Sequence, residues 1–77
     1  MATIPRRRPK LRPVSSSSIQ RIGYDPEARS LFLQYEGDKL YQYFDVPAKV
    51  YTELLAAQSK GRFVNYAIKP HYSFKEV

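Results

Sequence analysis

The chain has no cysteine, one histidine and no long apolar run. Without cysteine it cannot form a disulfide scaffold, a zinc–thiolate site or a thiol nucleophile. No apolar stretch approaches the roughly 18 residues that a membrane-spanning helix needs. The basic N-terminus is also not followed by the apolar stretch of a secretory signal. We therefore expect a cytoplasmic protein with no membrane partner.

Acidic residues are missing from the first quarter of the chain. The 77 residues carry 13 Lys and Arg against seven Asp and Glu, a formal net charge of +6. Five of the basic residues and no acid lie in residues 1–18, whereas residues 19–77 hold eight basic and seven acidic residues. The excess positive charge is therefore concentrated in one short segment.

This basic segment also lacks aromatic residues and is rich in proline and serine. Its prolines recur every four positions, and four consecutive serines follow at 15–18. Prolines at this spacing prevent a regular helix, and repulsion between the arginines extends the chain. We predict that residues 1–18 form a disordered basic arm, with 14–18 as its hinge, and that residues 19–77 form the folded domain.

A disordered basic arm is typical of attachment to a polyanion, and nucleic acid is the polyanion that we expect, because each neutralised phosphate releases counterions. A solvated tail, a nuclear localisation patch and an organelle transit peptide share this composition and stay open as alternatives. The predicted phosphate contacts are Arg6, Arg7, Arg8, Lys10 and Arg12.

Three segments after the arm have the alternating pattern of strands, at residues 19–25, 30–36 and 39–45. An Asp-Pro turn separates the first two segments, and a Gly-Asp turn separates the second from the third. The pattern predicts a three-stranded antiparallel meander, which needs a partner layer to be stable.

Two helices are predicted after the strands. An apolar stripe with i, i+4, i+8 spacing indicates a helix with Asp45 as its N-cap and Pro47 in its first turn, ending near Gln58. Gly61 interrupts this pattern, and a shorter helix follows until Pro70. The predicted fold is α+β, with the order β-β-β-α-α and both helices on one face of the sheet.

The loop between the second and third strands decides where two tyrosines lie. A two-residue loop at Gly37-Asp38 places Tyr41 and Tyr43 beside Phe32, on the face opposite the helices. A three-residue loop shifts the pairing by one residue and moves both tyrosines to the helix side. In that register the free face would be apolar enough to form a dimer surface.

The first register provides a surface that could bind bases. Phe32, Tyr41 and Tyr43 would form an aromatic row on an uncovered sheet face, as in sheets that stack RNA bases. The segment from residue 54 to 75 contains no acid, so its cations could contact phosphates. We predict a protein that binds single-stranded RNA or DNA. The contacts predicted in this second segment are Lys60, Arg62 and Lys69.

Catalytic chemistry has little support in this sequence. The single histidine, His71, has no nucleophile-elbow serine near it, and no metal-ligand or glycine-rich phosphate-loop spacing occurs. We therefore predict a protein that is not an enzyme and uses no cofactor or metal. A folded region of this size buries limited apolar surface, which favours a homodimer. The alternative function is an interaction or homodimerisation module that uses the free sheet face.

Several motifs between residues 14 and 72 occur together in a known family. The chain here resembles the KTSC domain, a short module found at the C-terminus of some lysyl-tRNA synthetases and as a stand-alone bacterial or phage protein. The resemblance implies a suggested RNA-binding role and supplies no catalytic residues. The motifs are Ser17-Ser18-Ile19, Ile22-Gly23-Tyr24-Asp25, Leu31, Leu33, Tyr41-x-Tyr43, Val46-Pro47, Val50-Tyr51, Ala57-x-Ser59-x-Gly61, Asn65, Ile68 and Tyr72.

Overall fold

A computed structural model of the protein describes residues 9–77 and has an α+β fold, as predicted. Its five strands form one antiparallel sheet in the order β1-β2-β3-β4-β5, and the helices lie between β4 and β5 in the chain. No helix within the described residues is long and apolar enough to cross a membrane. The elements are β1 (Arg12–Pro13), β2 (Ile19–Asp25), β3 (Ser30–Tyr35), β4 (Leu40–Tyr43), α1 (Ala48–Ala56), α2 (Lys60–Phe63), a π-helical continuation of α2 (Val64–Ile68) and β5 (Phe74–Glu76).

The predicted three-stranded meander is an undercount, because two short edge strands join it. Arg12 pairs with Ile22 at one edge, and Phe74 pairs with Tyr43 at the other. Strands of two or three residues are too short to show an alternating pattern in the sequence. The prediction of a disordered arm is therefore wrong for residues 12–13, which are a strand. Residues 1–8 lie outside the described residues.

Residues 36–38 form a three-residue loop between Tyr35 and Lys39, whose backbones are hydrogen-bonded, so the two-residue register on which the aromatic row depends is wrong. The Tyr35 N–H donates to the Lys39 carbonyl at 2.8 Å, and Leu31 pairs with Tyr43. Gly37 and Asp38 both have positive φ values, 84° and 62°, inside this loop.

Burial of a polar side chain explains why the three-residue loop is favoured. The two-residue register would have placed the Gln42 amide in the core, where each unpaired polar group is costly. In the observed register Gln42 faces the other side of the sheet and donates to the Ser30 Oγ at 3.1 Å. Tyr43 takes the core position and is fully buried.

The helices pack on one face of the sheet, as predicted, and the core lies between the two layers. Strand residues such as Leu31 and Leu33 contact helix residues such as Leu54 and Ile68 in a single apolar cluster. The fully buried members of this cluster are Ile19, Ile22, Leu31, Leu33, Tyr43, Val46, Leu54, Val64 and Ile68.

The start of α1 differs from the prediction. Asp45 has a φ of 57° and lies in the turn before the helix, so it is not the N-cap. Pro47 occupies the cap position instead, and its carbonyl accepts the Val50 N–H at 2.9 Å. The second helix begins at Lys60, one residue before Gly61, which was predicted to lie outside it.

The sheet face opposite the helices is partly covered by the segment before β1. A Cβ atom built on Gly23 would lie 2.6 Å from the Leu11 side chain and 3.3 Å from the Lys10 carbonyl oxygen. Phe32 pairs with Gly23, and its side chain is only 5% exposed. Only a residue without a side chain allows the N-terminal segment to approach the sheet so closely.

Candidate nucleic-acid interface

The predicted row of stacking aromatics does not form an exposed surface. Tyr43 is fully buried, and Phe32 is 5% exposed on the face that the N-terminal segment approaches. Neither ring can stack on a base without unfolding its surroundings. The three-residue loop turns Tyr43 inward, and Leu11 approaches the sheet at Gly23, the cross-strand partner of Phe32. Of the three predicted residues, only Tyr41 keeps a partly exposed ring.

Tyr41 instead lines an aromatic cleft at the β5 edge of the sheet. The cleft has a volume of about 250 Å³. Its aromatic walls come from three adjacent strands, and two lysines complete it. We call this site the aromatic cleft; its lining residues are Tyr35, Lys39, Tyr41, Lys69 and Phe74.

The rings of the cleft fix one another in position. Tyr35 and Tyr41 meet edge to face, with ring centroids 5.3 Å apart and planes at 89°. Tyr41 and Phe74 are tilted at 39° with centroids 5.7 Å apart, and Phe74 is 47% exposed. Aromatic pairs in such geometries prefer one another beyond simple area burial. The walls are therefore apolar, ordered and able to receive a planar ring.

A pair of tyrosine hydroxyls lies behind these walls. The Tyr35 and Tyr43 hydroxyl oxygens are 3.0 Å apart and share a hydrogen bond. Loss of solvation on burial is the main cause that raises the pKa of Tyr35 far above its usual value, and the same cause raises the pKa of Tyr43. Both hydroxyls are therefore neutral at physiological pH and add no negative charge to the cleft.

These raised pKa values predict a loss of stability in alkali. Below pH 10, which is near the pKa of an unfolded tyrosine, the folded and unfolded states both keep the phenol proton. Above that pH the unfolded state loses the proton first, which shifts the equilibrium towards unfolding. The free energy of unfolding should therefore be unaffected by these groups below pH 10 and should fall as the pH rises further. Urea denaturation across this range measures the change. In a Y35F/Y43F variant the free energy of unfolding should fall less steeply with pH. An equal fall would contradict the assignment of the alkaline loss to these two hydroxyls.

Two lysines give the aromatic cleft its charge. The Lys69 Nζ lies 6.0 Å from the centroid of the Tyr35 ring, within range of a cation–π contact. Lys39 is exposed and directly precedes β4. Aromatic walls flanked by two ammonium groups can stack a base and contact the phosphates on either side of it.

Three residues of this cleft were missed in the sequence: Tyr35, Lys39 and Phe74. Tyr35 and Lys39 can be recognised as neighbours in a cleft only with the three-residue loop, which brings the end of β3 beside the start of β4. Phe74 lies beyond the predicted helices, and only its pairing with Tyr43 brings it to the sheet.

The other predicted cations do not converge on the aromatic cleft. Lys10 and Arg12 lie at the β1 edge of the sheet, and the strand order separates them from β5 by three strands. Lys60 and Arg62 lie on α2. Among the predicted cations that the structure describes, only Lys69 lines the cleft. Arg6, Arg7 and Arg8 lie outside the described residues.

Groups that could support catalysis are sparse in the described part of the chain. His71 is exposed. Within residues 9–77, no three His, Cys, Asp or Glu side chains lie close enough together to hold a metal ion.

Comparison with known proteins places the chain in a family. The KTSC domain model matches residues 15–72. A solved KTSC domain protein from Yersinia pestis is 40% identical, covers 88% of this chain and 96% of its own, and superposes with a TM-score of 0.85. The family match includes four of the residues that line the aromatic cleft and ends before the fifth, Phe74.

Relatives occur both as small proteins and as parts of larger ones. A protein of Tsukamurella paurometabola is 47% identical over 62 residues, which are 80% of this chain and 92% of the relative. The lysine–tRNA ligase of a Nostoc species is 33% identical over 69 residues, which are 90% of this chain but 12% of the ligase. The chain belongs to the KTSC domain family.

Proposed function

We propose that this protein binds single-stranded nucleic acid, RNA or DNA, and that it does so without catalysing a reaction. The observation that carries the proposal is the aromatic cleft with its two lysines. Stacking of a base on an aromatic side chain is worth about 1–3 kcal/mol and tolerates any base, because every base has a π face. A base inserted beside Tyr41 would leave its flanking phosphates near Lys39 and Lys69.

Recognition by aromatic rings favours a single strand over a duplex. A base must leave its stack before both of its faces can meet protein rings, and unpaired bases do this at the lowest cost. The described residues also contain no long helix that could enter a major groove, since α1 has nine residues and packs on the sheet. Recognition by stacking and charge therefore suits this fold better than readout of duplex bases.

The relatives give this proposal indirect support. Several similar regions belong to enzymes named lysine–tRNA ligase, whose name includes an RNA substrate. The similarity covers only 12% of each ligase, so it links this chain to one part of those proteins. An RNA partner for this part is consistent with that link.

The basic N-terminal segment would add phosphate contacts that do not depend on sequence. Lys10 and Arg12 are exposed beside β1, and Arg6, Arg7 and Arg8 precede them in the chain. Because β1 and β5 are the two edges of the sheet, these cations would contact a different part of a bound strand from the part at the cleft. Lys60 and Arg62 would extend the charged surface on α2.

A truncation tests the electrostatic part of the proposal. Removal of residues 1–8 keeps β1 and deletes three arginines. For a single-stranded ligand, each lost phosphate contact should reduce the salt slope of log K by about 0.7, so the slope should become shallower by about 2. Fluorescence anisotropy with a labelled oligonucleotide, repeated over a salt series, measures this slope.

The control for this truncation keeps the chain length constant. An R6Q/R7Q/R8Q variant should give the same shallower slope as the truncation, because charge rather than length is the cause. A slope that stays unchanged in both proteins would show that the arm does not contact phosphates.

The alternative function, homodimerisation through the free sheet face, stays a prediction. That face exposes less apolar surface in the structure than the three-residue register alone would predict. Phe32 is already buried within one chain, and Leu40 and Phe44 are partly buried. The Lys75 Nζ also lies 6.0 Å from the centroid of the Phe44 ring, which places a charge on this face.

A further inference from the structure

A second pocket, which has a polar lining in place of aromatic walls, lies where two segments of the chain meet. Residues 15–18, between β1 and β2, face residues 58–61, at the junction of α1 and α2. The space between them is about 410 Å³. Five serines, one glutamine, one lysine and one glycine line it, so we call it the serine pocket.

Hydroxyl groups dominate this pocket. The Ser16 Oγ accepts N–H bonds from Ser18 and Ile19, at 3.3 and 3.2 Å, and the Ser59 Oγ accepts the Arg62 N–H at 3.4 Å. The Ser16 hydroxyl already accepts two hydrogen bonds, so it has mainly its proton to offer a ligand, whereas the Ser59 hydroxyl accepts one and keeps its proton as well. Such a lining can donate several hydrogen bonds to a ligand that accepts them.

The lining has one charged side chain, that of Lys60. The Lys60 Nζ donates one hydrogen bond to the Ala57 carbonyl at 3.1 Å, which holds the ammonium group beside the pocket and leaves two of its protons for other acceptors. No carboxylate is among the described residues that line the pocket.

The two walls also come from the two acid-free stretches of the chain. The first acid in the sequence is Asp25, and residues 54–75 contain four Lys and Arg and no acid. The lining residues therefore offer an anion one positive charge, from Lys60, and no carboxylate of their own. Outside the lining, the exposed Glu36 contacts the Ser18 wall through its backbone N–H, which donates to the Ser18 carbonyl at 3.4 Å.

The walls approach closely because residue 61 has no side chain. A Cβ atom on Gly61 would lie 2.4 Å from the Ser18 Oγ. With glycine there, the Ser18 hydroxyl can remain in the pocket rather than rotate away from it. This close approach brings donors from both segments within reach of one small group.

We propose that the serine pocket binds a phosphate group through serine hydroxyls and the Lys60 ammonium group. A phosphate offers several acceptor oxygens and negative charge, and charge-assisted hydrogen bonds to such oxygens are the strong ones. The phosphate could belong to a nucleic-acid backbone or be a free ion, and the same chemistry would bind both.

Titration of the full-length protein with inorganic phosphate, followed by amide chemical shifts, tests this site. The amides of residues 15–18 and 59–61 should shift and saturate, whereas sodium chloride at equal ionic strength should leave them in place. Lys60→Met should weaken binding about tenfold, since it removes a hydrogen bond from a charged donor. Ser17→Ala should weaken it to a smaller extent.

Matched variants outside the pocket provide the controls. Lys49→Met and Ser73→Ala remove the same groups from exposed positions elsewhere and should leave phosphate binding unchanged. The proposal would be overturned if phosphate caused no more shift than chloride, or if Lys60→Met and Lys49→Met bound phosphate equally well.

A second ligand separates the two sources of phosphate. If a short thymidine oligonucleotide shifts the same amides and competes with phosphate, the pocket binds backbone phosphates. If the oligonucleotide leaves those amide chemical shifts unchanged while inorganic phosphate still moves them to saturation, the pocket binds the free ion. Inorganic phosphate has no ring to stack, so its binding to the pocket is independent of the aromatic cleft.

Discussion

Tyr43→Ala should cost about 3–5 kcal/mol of the free energy of unfolding, the usual range for truncation of a large aromatic side chain in a core. Tyr43 is fully buried, its ring lies 5.1 Å from that of Phe74, and its hydroxyl bonds to Tyr35. A small domain has about 5–15 kcal/mol of stability in total, so this single change removes a large share of it. Urea denaturation of the purified variant measures the loss.

The neighbouring residue is the matched control for this prediction. Phe44 is a similar aromatic side chain, but it is partly exposed on the other side of the sheet, beside Lys75. Phe44→Ala should therefore be clearly less destabilising than Tyr43→Ala. The two-residue register would bury Phe44 and expose Tyr43, so the reverse order of the two losses would contradict the observed sheet pairing.

The second large effect is expected at the aromatic cleft. A K39Q/K69Q variant removes both ammonium groups from its rim and should reduce the salt slope of oligonucleotide binding by about 1.4, or about 0.7 for each phosphate contact. Tyr41→Leu keeps much of the apolar volume but removes the stacking ring. It should lose about 1–3 kcal/mol of binding, a factor of roughly five to a hundred or more in affinity.

Controls for the cleft variants are available elsewhere on the same chain. K49Q/K75Q removes the same charge from exposed positions outside the cleft, and Tyr66→Leu removes a ring that is 66% exposed and packs on Phe63. Both should bind the oligonucleotide nearly as well as the unchanged protein. If the cleft variants and these controls lose affinity equally, binding depends on general charge and the cleft is not the site.

The sequence was sufficient for those parts of the fold that depend on long periodic patterns. The three longer strands and the apolar stripe of α1 follow from residue spacing, and the turn before β3 follows from Asp25, whose Oδ1 accepts the Glu27 N–H at 3.0 Å. The α+β class follows from their order. These features depend on residues close together in the chain, so the residue pattern within a short stretch of sequence is enough to predict them.

The aromatic cleft could not be predicted in this way, because it depends on one loop residue and one short strand. A change of a single residue in the β3–β4 loop exchanges the faces of Tyr41 and Leu40. Phe74 reaches the sheet through a strand of three residues, which leaves no periodic signal. The close approach of Leu11 to Gly23 is likewise a tertiary contact, and Gly23 is the cross-strand partner of the buried Phe32.

The wall that Phe74 contributes belongs to β5, an edge strand that pairs, within residues 9–77, with β4 alone. Strands of this kind open through local fluctuations long before the rest of the molecule unfolds. A ligand held against Phe74 would resist that opening, so the amide protons of residues 74–76 should exchange with deuterium more slowly when the cleft is filled. The end of the chain can thus serve as a built-in reporter of occupancy, with no label attached to the protein.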